Sequence, residues 1–445
     1  MNILINAAYL LGLILFTRKI IKNPVTGLWF WMIFIVYYEL INPEMDNSTV
    51  IMGVNITLLD IVFVYFSIIA FQRYKEFVLL LRQDNVLNLF FLSLLFIAVA
   101  IPLFVVFQGD PVMRSINGAR DFLIYIPAFL YFFSFRYSPE IMDKLINHLL
   151  IISLISAGVA FYMVIKTGER VVPSSGALFL AFAGLLALVK YYEKSTAYYL
   201  IIAIFLLLVV VVLRHRSVWI AAGLGVLFIH FYVKVNIRVI SLLFCLPVLI
   251  FLFAMSFPTT YKKFSAIVTE SATALTSREE FDESTGGGRV ARWEAQIEQK
   301  WNWKIPLWGN GHAYDRNVYF RVRPGDKRLS TVSFHNHYLE QMFRVGIPTV
   351  LILLLFCFKF LRLNHARQLI QKDYLMIGLS ACLAGSLGFG MMYSFSYLTF
   401  IIMGIGYSIL INENEDRYRN PHIQPSHRGK KLALDAWKLE QANRD

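Results

Sequence analysis

Three short stretches of this 445-residue chain hold residue types that can move protons or hold anions. The first is "SFHNHYLEQMFRVGIP", Ser333 to Pro348, where His335 and His337 flank Asn336. An imidazole titrates near working pH, so it can act as a general base, a metal ligand or a helix-start residue. The i, i+2 spacing sends the two rings to different faces of a helix, which suits a metal poorly. There is no HExxH, and the three cysteines, Cys245, Cys357 and Cys382, all sit in apolar runs as small core residues, so no metal set is expected. Helical phase from His335 puts Leu339, Met342 and Phe343 on one side, an apolar face below the histidine.

The second stretch is "VVLRHRSVWIAAG", with Arg214, His215 and Arg216 wedged between two apolar runs. Guanidiniums at such a boundary either snorkel to lipid phosphate or clamp an anionic ligand through paired N–H donors, and spacing leaves both readings open. The third is "STGGGRVARWEAQIEQKW". Gly286, Gly287 and Gly288 let backbone N–H groups approach an anion, and a helix start adds its positive dipole end, with Arg289 immediately after. The bland alternative is a flexible loop tip. Arg292, Trp293, Ala295 and Ile297 then read as a helix with Trp293 as its aromatic anchor, and a second small turn, "LWGNGHAYD", brings Gly309, Gly311 and His312. A separate loop, "NPEMDNS", holds Glu44 and Asp46, which are either solvated acids or the acidic pair of a metal-dependent transferase. No GxSxG elbow and no Walker loop is present.

These stretches are carried by elements of one kind. The chain is 57% hydrophobic and only 16% charged, where a soluble protein carries about 25% charged residues. Apolar runs of roughly 16–22 residues recur from end to end, each long enough to cross a hydrocarbon core of about 30 Å. The fold class is therefore an all-α polytopic membrane protein, with about twelve or thirteen spans, at 3–16, 25–41, 56–71, 86–107, 122–135, 145–165, 176–190, 197–213, 217–233, 239–257, 337–358, 374–391 and 396–411. The first run is short and fits a span or a surface helix. The net charge of +13 does not mean nucleic acid, because many basic residues fall in short alternate loops, as the positive-inside rule requires. Loops holding Arg18, Lys22, Arg73, Arg136, Lys190, Lys194, Lys234, Arg362 and Arg367 should face the cytoplasm. The loops 42–55, 108–121, 166–175, 214–216 and 258–336 should face outward. The organisation is a helix bundle over 1–257, a long outer loop with short helices over 258–336, further spans over 337–411 and a basic cytoplasmic tail over 412–445. That tail, with "KKLALDAWKLEQ", either lies on the anionic inner leaflet or is solvated.

A boundary arginine at the end of a span, a "GR…RW" segment, a "GNG" turn and "HNHYL…GIP" together resemble the O-antigen ligase and O-antigen polymerase family of bacterial envelope glycan enzymes. The resemblance covers about residues 205–355, and the flanking spans agree only in kind. The ligase pattern is His, then Asn, Ser or Gln, nine residues, Gly, two residues, Gly, then Thr or Val. His335, Asn336, Gly346 and Val350 fit it, and Thr349 replaces the second glycine. Arg216 aligns with the family's boundary arginine, Arg214 being two residues away, and Arg289 aligns with its loop arginine. The resemblance implies a GT-C-like architecture and a metal-independent, inverting glycosyl transfer at the periplasmic face of the inner membrane, in lipopolysaccharide biosynthesis. The donor it implies is a glycan on undecaprenyl pyrophosphate, and the acceptor is lipid A core for a ligase or a second lipid-linked repeat unit for a polymerase. In that scheme His335 is the base, Arg216 and Arg289, with Arg214 in reserve, hold pyrophosphate, and Asn336, His337, Gly288, Gly346, Trp293 and His312 support them without any metal or other cofactor. A transporter for a lipid-linked anion is the alternative of another class. It would also use arginines and a groove, but has no need of the long loop or His335.

Overall fold

The structure is a computed structural model that describes residues 2–35, 49–51, 54–56, 58–73, 85–96, 125–167, 172–213, 215–234, 265, 269, 286–311, 318–323, 326–330, 336–370, 372–391, 393 and 395–419. Apolar composition makes helices here because a backbone surrounded by lipid must satisfy its own hydrogen bonds. In chain order the first helices are α1 (Asn2–Lys22), α2 (Pro24–Ile35), α3 (Leu58–Gln72), α4 (Asn85–Leu95), α5 (Tyr125–Phe133), α6 (Pro139–Thr167), α7 (Ser174–Lys194), α8 (Ala197–Val212) and α9 (Arg216–Tyr232). After these come α10 (Gly286–Lys300), α11 (His337–Val345), α12 (Ile347–Ile370), α13 (Tyr374–Gly390) and α14 (Tyr397–Arg419). Three stretches, Pro139–Val164, Ser174–Lys194 and Ile347–Leu369, are long and apolar enough to cross a membrane, and shorter apolar helices accompany them. The run left open between a span and a surface helix forms α1, which packs on its neighbours: the Tyr9 hydroxyl donates to Phe30 O at 3.0 Å and the Tyr65 hydroxyl to Leu13 O at 2.8 Å. The expected span 239–257 lies outside the described residues.

Two differences from the sequence expectations concern the long loop and its exit. The segment 258–336 carries the expected helix, α10, but also an antiparallel hairpin, β3 (Val318–Arg323) with β4 (Asp326–Ser330). A smaller hairpin, β1 (Thr49–Ile51) with β2 (Val54–Ile56), stands in the loop before α3. The single span expected over 337–358 is two helices, α11 and α12, broken at Gly346. Gly346 has φ +85° and ψ 162°, a region open essentially to glycine alone, so the chain cannot continue as one helix through it.

Lipid tails are as apolar as leucine, so the spans are held by close packing and by polar groups that find backbone partners. Phe90 on α4 stacks on Phe356 of α12 with centroids 4.0 Å apart, and Phe356 stacks on Tyr407 of α14 at 4.6 Å. The Tyr407 hydroxyl donates to Phe356 O at 2.9 Å, and that of Tyr131 to Ile20 O at 2.7 Å. Helices α9 and α13 approach closely, and their faces meet through small residues. A Cβ on Gly385 would stand 2.8 Å from Ala221 O, and one on Gly225 would stand 3.2 Å from Ala381 O. Ala221 is thus level with Gly385, and Gly225 with Ala381, so the helices run antiparallel and the first turn of α9 is level with the last turn of α13.

Helix directions sort the polar contacts into two ends. At one end Arg73 donates to Ile21 O and Ser134 O, both at 2.8 Å, Lys190 and Lys194 pair with Asp143, and the Tyr232 hydroxyl meets His365 Nδ1 at 2.9 Å. The sequence expects these loops on the cytoplasmic side. At the other end His215 Nε2 meets Val172 O at 2.5 Å, the Tyr338 hydroxyl donates to Leu387 O at 2.8 Å, and the Tyr125 hydroxyl donates to Phe395 O at 2.8 Å. The described parts of two of the chemistry-bearing stretches, His215 and Arg216 at the start of α9 and His337 and Tyr338 at the start of α11, stand at this second end.

Candidate active site

Arg216 is the first residue of α9, with His215 as its cap residue, buried and anchored on Val172 O. Antiparallel packing of α9 on α13 brings Arg216 level with Phe389 and Gly390, at the turn that joins α13 to α14. Tyr393 lies in that turn and carries two of the site's attachments. Its ring stacks on Phe389 and lies under the Arg289 guanidinium, with Cζ 5.8 Å from the centroid. Its carbonyl accepts the His337 N–H at 3.1 Å. One residue therefore brings the first turn of α10, the first turn of α11 and the end of α13 together.

The glycines before Arg289 differ from their sequence reading. Gly286, Gly287 and Gly288 form the first turn of α10 and not a loop ahead of it. The leading N–H groups of a helix have no intrahelical partner, so this turn offers donors as well as the positive dipole end. Further along α10, Arg292 and Gln296 are buried. Trp293 packs with Leu339, Met342 and Phe343 of α11 around Ile305, so the apolar phase of 339–343 is realised as the contact with α10 and the turn after it.

Asn336 caps α11: its carboxamide oxygen accepts the Leu339 N–H at 3.1 Å. The expected helix phase from His335 is corrected by this cap, since α11 begins at His337. The cap ties the Asn336 oxygen to the start of the helix. Glu340 pairs with buried Arg344 at 2.7 Å within α11. His335, Arg214 and His312 lie outside the described residues, as do Glu44 and Asp46.

His337 is a structural histidine. Its Nδ1 accepts the Phe395 N–H at 3.3 Å, and its ring lies 4.5 Å from that of Phe395. Burial pushes the imidazole down to about 3, from an ordinary value of 6.5. An imidazole held neutral in the fold, and protonatable once unfolded, confers stability that is full above pH 6.5 and is lost as pH falls toward about 3. Thermal unfolding of the detergent-solubilised protein is thus expected to fall across that window, and His337→Phe is expected to flatten the fall. An unaltered pH profile in the variant would contradict the assignment.

The "GNG" turn closes the other end of α11. Asn310 N–H donates to Phe343 O and Gly311 N–H to Arg344 O, both at 2.8 Å, satisfying carbonyls at the helix terminus. Gly309 (φ +75°) and Gly346 face each other there. A Cβ on Gly346 would stand 2.3 Å from Leu307 O, and one on Gly309 would stand 2.5 Å from the Arg344 carbonyl carbon. The two motif glycines therefore let two turns touch backbone to backbone. Thr349, which departs from the ligase pattern, donates to Val345 O at 3.0 Å, a bond that glycine cannot make. Gly346→Ala combines backbone strain with the clash and is expected to destabilise the fold by about 2–3 kcal/mol, read as a lowered unfolding temperature in detergent. Unchanged unfolding would contradict the docking.

This arrangement defines a helical membrane protein whose α10 and α11 starts meet at Tyr393, at the end of the bundle that also carries the start of α9. Residues 201–354 match the family model described as O-antigen ligase. The match spans about a third of the chain and makes this part similar to that family. No curated protein matches the chain.

Proposed function

We propose that the chain is a metal-independent, inverting glycosyltransferase working at the periplasmic face of a bacterial inner membrane. It takes a glycan from undecaprenyl pyrophosphate and passes it to a sugar hydroxyl, that of lipid A core in the O-antigen ligase reading. The observation that carries the proposal is the Tyr393 junction, where Arg289 meets the start of α11 at the end of the bundle that also holds Arg216. In the step proposed, the acceptor oxygen attacks the anomeric carbon from the face opposite pyrophosphate, and the C–O bond to pyrophosphate breaks. The acceptor proton passes to His335, one peptide bond before the α11 cap. Negative charge grows on the leaving pyrophosphate, and fixed donors aimed there stabilise it by a few kcal/mol each. Arg216, Arg289 and the first N–H groups of α10 supply such donors, with Arg214 in reserve, so the mechanism needs no divalent ion. The apolar spans would form a lateral groove for the polyprenyl chain, and the whole would be GT-C-like.

The acceptor decides the subclass. Purified protein would be given labelled lipid-linked glycan with either core lipid or a second lipid-linked repeat unit, with and without EDTA. Product on core lipid, undiminished by EDTA, is the expected result. Product only on the second repeat unit would make the protein a polymerase. Loss of activity in EDTA would bring back a metal-dependent transferase using Glu44 and Asp46.

A further inference from the structure

We propose that α10 and the turn after it lie in the bilayer interface, with their outward apolar face set into lipid, and so fix the height of Arg289 relative to the membrane surface. The inference goes beyond the transferase reading and does not depend on it. It begins with α10, which carries an apolar stripe on its outward side and polar side chains among those it buries. Inward, Arg292 and Gln296 are almost fully buried. Outward, Val290, Ile297 and Trp301 fall within one narrow stripe at helical spacing and are exposed by 40–46%. An ordinary surface helix turns its charged residues outward and its apolar ones inward. Glu294 and Glu298 border the apolar stripe on one side, as charged residues do on helices that lie in an interface.

The turn continues the same surface. Trp303 is 65% exposed and Leu307 51%, and Lys300 and Lys304 lie among them. Tryptophan with lysine is the composition of a membrane–water boundary, where the indole body sits among acyl carbons and its polar edge meets headgroups. The depth of the turn is fixed by a hydrogen bond to the start of a span. Ile305 O accepts the N–H of Ile347 at 3.0 Å, and Ile347 is the first residue of the span Ile347–Leu369. A segment hydrogen-bonded to the first residue of a span stands where the hydrocarbon begins. Below it, Leu351, Leu355 and Phe358 are exposed on α12. That run of exposed apolar side chains is a lipid-facing face, and Leu307, Trp303 and Trp301 extend it past the end of the span. The occupant is therefore the bilayer interface, continuous with the lipid that already covers α12.

Tryptophan fluorescence of the full-length protein in nanodiscs tests this. Emission of the unaltered protein is compared with that of Trp301→Phe/Trp303→Phe, a change of exposed aromatic for aromatic that keeps the fold. The emission lost in the variant is the signal of these two residues. It is expected to be quenched severalfold more by lipid brominated near the headgroup end of its acyl chain than by aqueous iodide. Stronger quenching by iodide would place the face in water and overturn the proposal. Protection from both quenchers would mean that protein covers it, including a second copy of this chain, and would overturn it equally.

Discussion

Arg289→Ala is expected to lower glycan transfer by roughly 10²–10³-fold, the usual cost of removing one fixed donor from a site of developing negative charge. The loss should appear in turnover and not in folding. Arg289 is partly exposed and approaches the Tyr393 ring in a cation–π contact at 5.8 Å, an interaction worth about 0.5–1 kcal/mol at such sites. The unfolding temperature should therefore stay close to that of the unaltered protein while turnover collapses. Arg289→Lys retains the charge but loses the planar fork, so partial recovery is expected. Arg216→Ala should behave alike, since Arg216 opens α9 at the same end of the bundle. A comparable fall in unfolding temperature for either variant would mean that these arginines hold the fold together and not the leaving group.

The second large effect is expected at His335. His335→Ala should reduce turnover by about 10²–10⁴-fold, the range of a positioned general base, with donor binding preserved. His335→Ala should also remove the acidic limb of the rate profile, because that limb reports protonation of the base. His337 supplies the control. Its ring is buried, neutral and held by the Phe395 N–H, so replacing it should change stability more than the pH dependence of transfer. A shifted acidic limb in a folded His337 variant, with the limb intact in His335→Ala, would exchange the two roles.

The apolar helices among the described residues were legible in the sequence because hydropathy is local and runs in series along the chain. Antiparallel packing alone then set Arg216 beside the α13–α14 turn. Tyr393 was not legible. It serves the site through its carbonyl and the face of its ring, and its partners stand 56 and 104 residues away with no spacing to connect them. The break at Gly346 was hidden because hydropathy continues unbroken through Val345 and Ile347, whereas the interruption is in φ. The sequence did contain a signal for the β3–β4 hairpin in "RVRPGDKR", whose Pro-Gly-Asp turn outweighs the charged residues around it. Asn336 shows a motif residue with a structural task visible in three dimensions, since its oxygen caps α11.

The most direct measurement is a transfer assay on purified protein in EDTA, with labelled glycan on undecaprenyl pyrophosphate and a core-lipid acceptor, reading product and released undecaprenyl pyrophosphate together. The account predicts product of inverted anomeric configuration, equimolar release of the carrier, and loss of both in the folded Arg289→Ala and His335→Ala variants. Carrier released without product, or transfer undiminished in both variants, would contradict it.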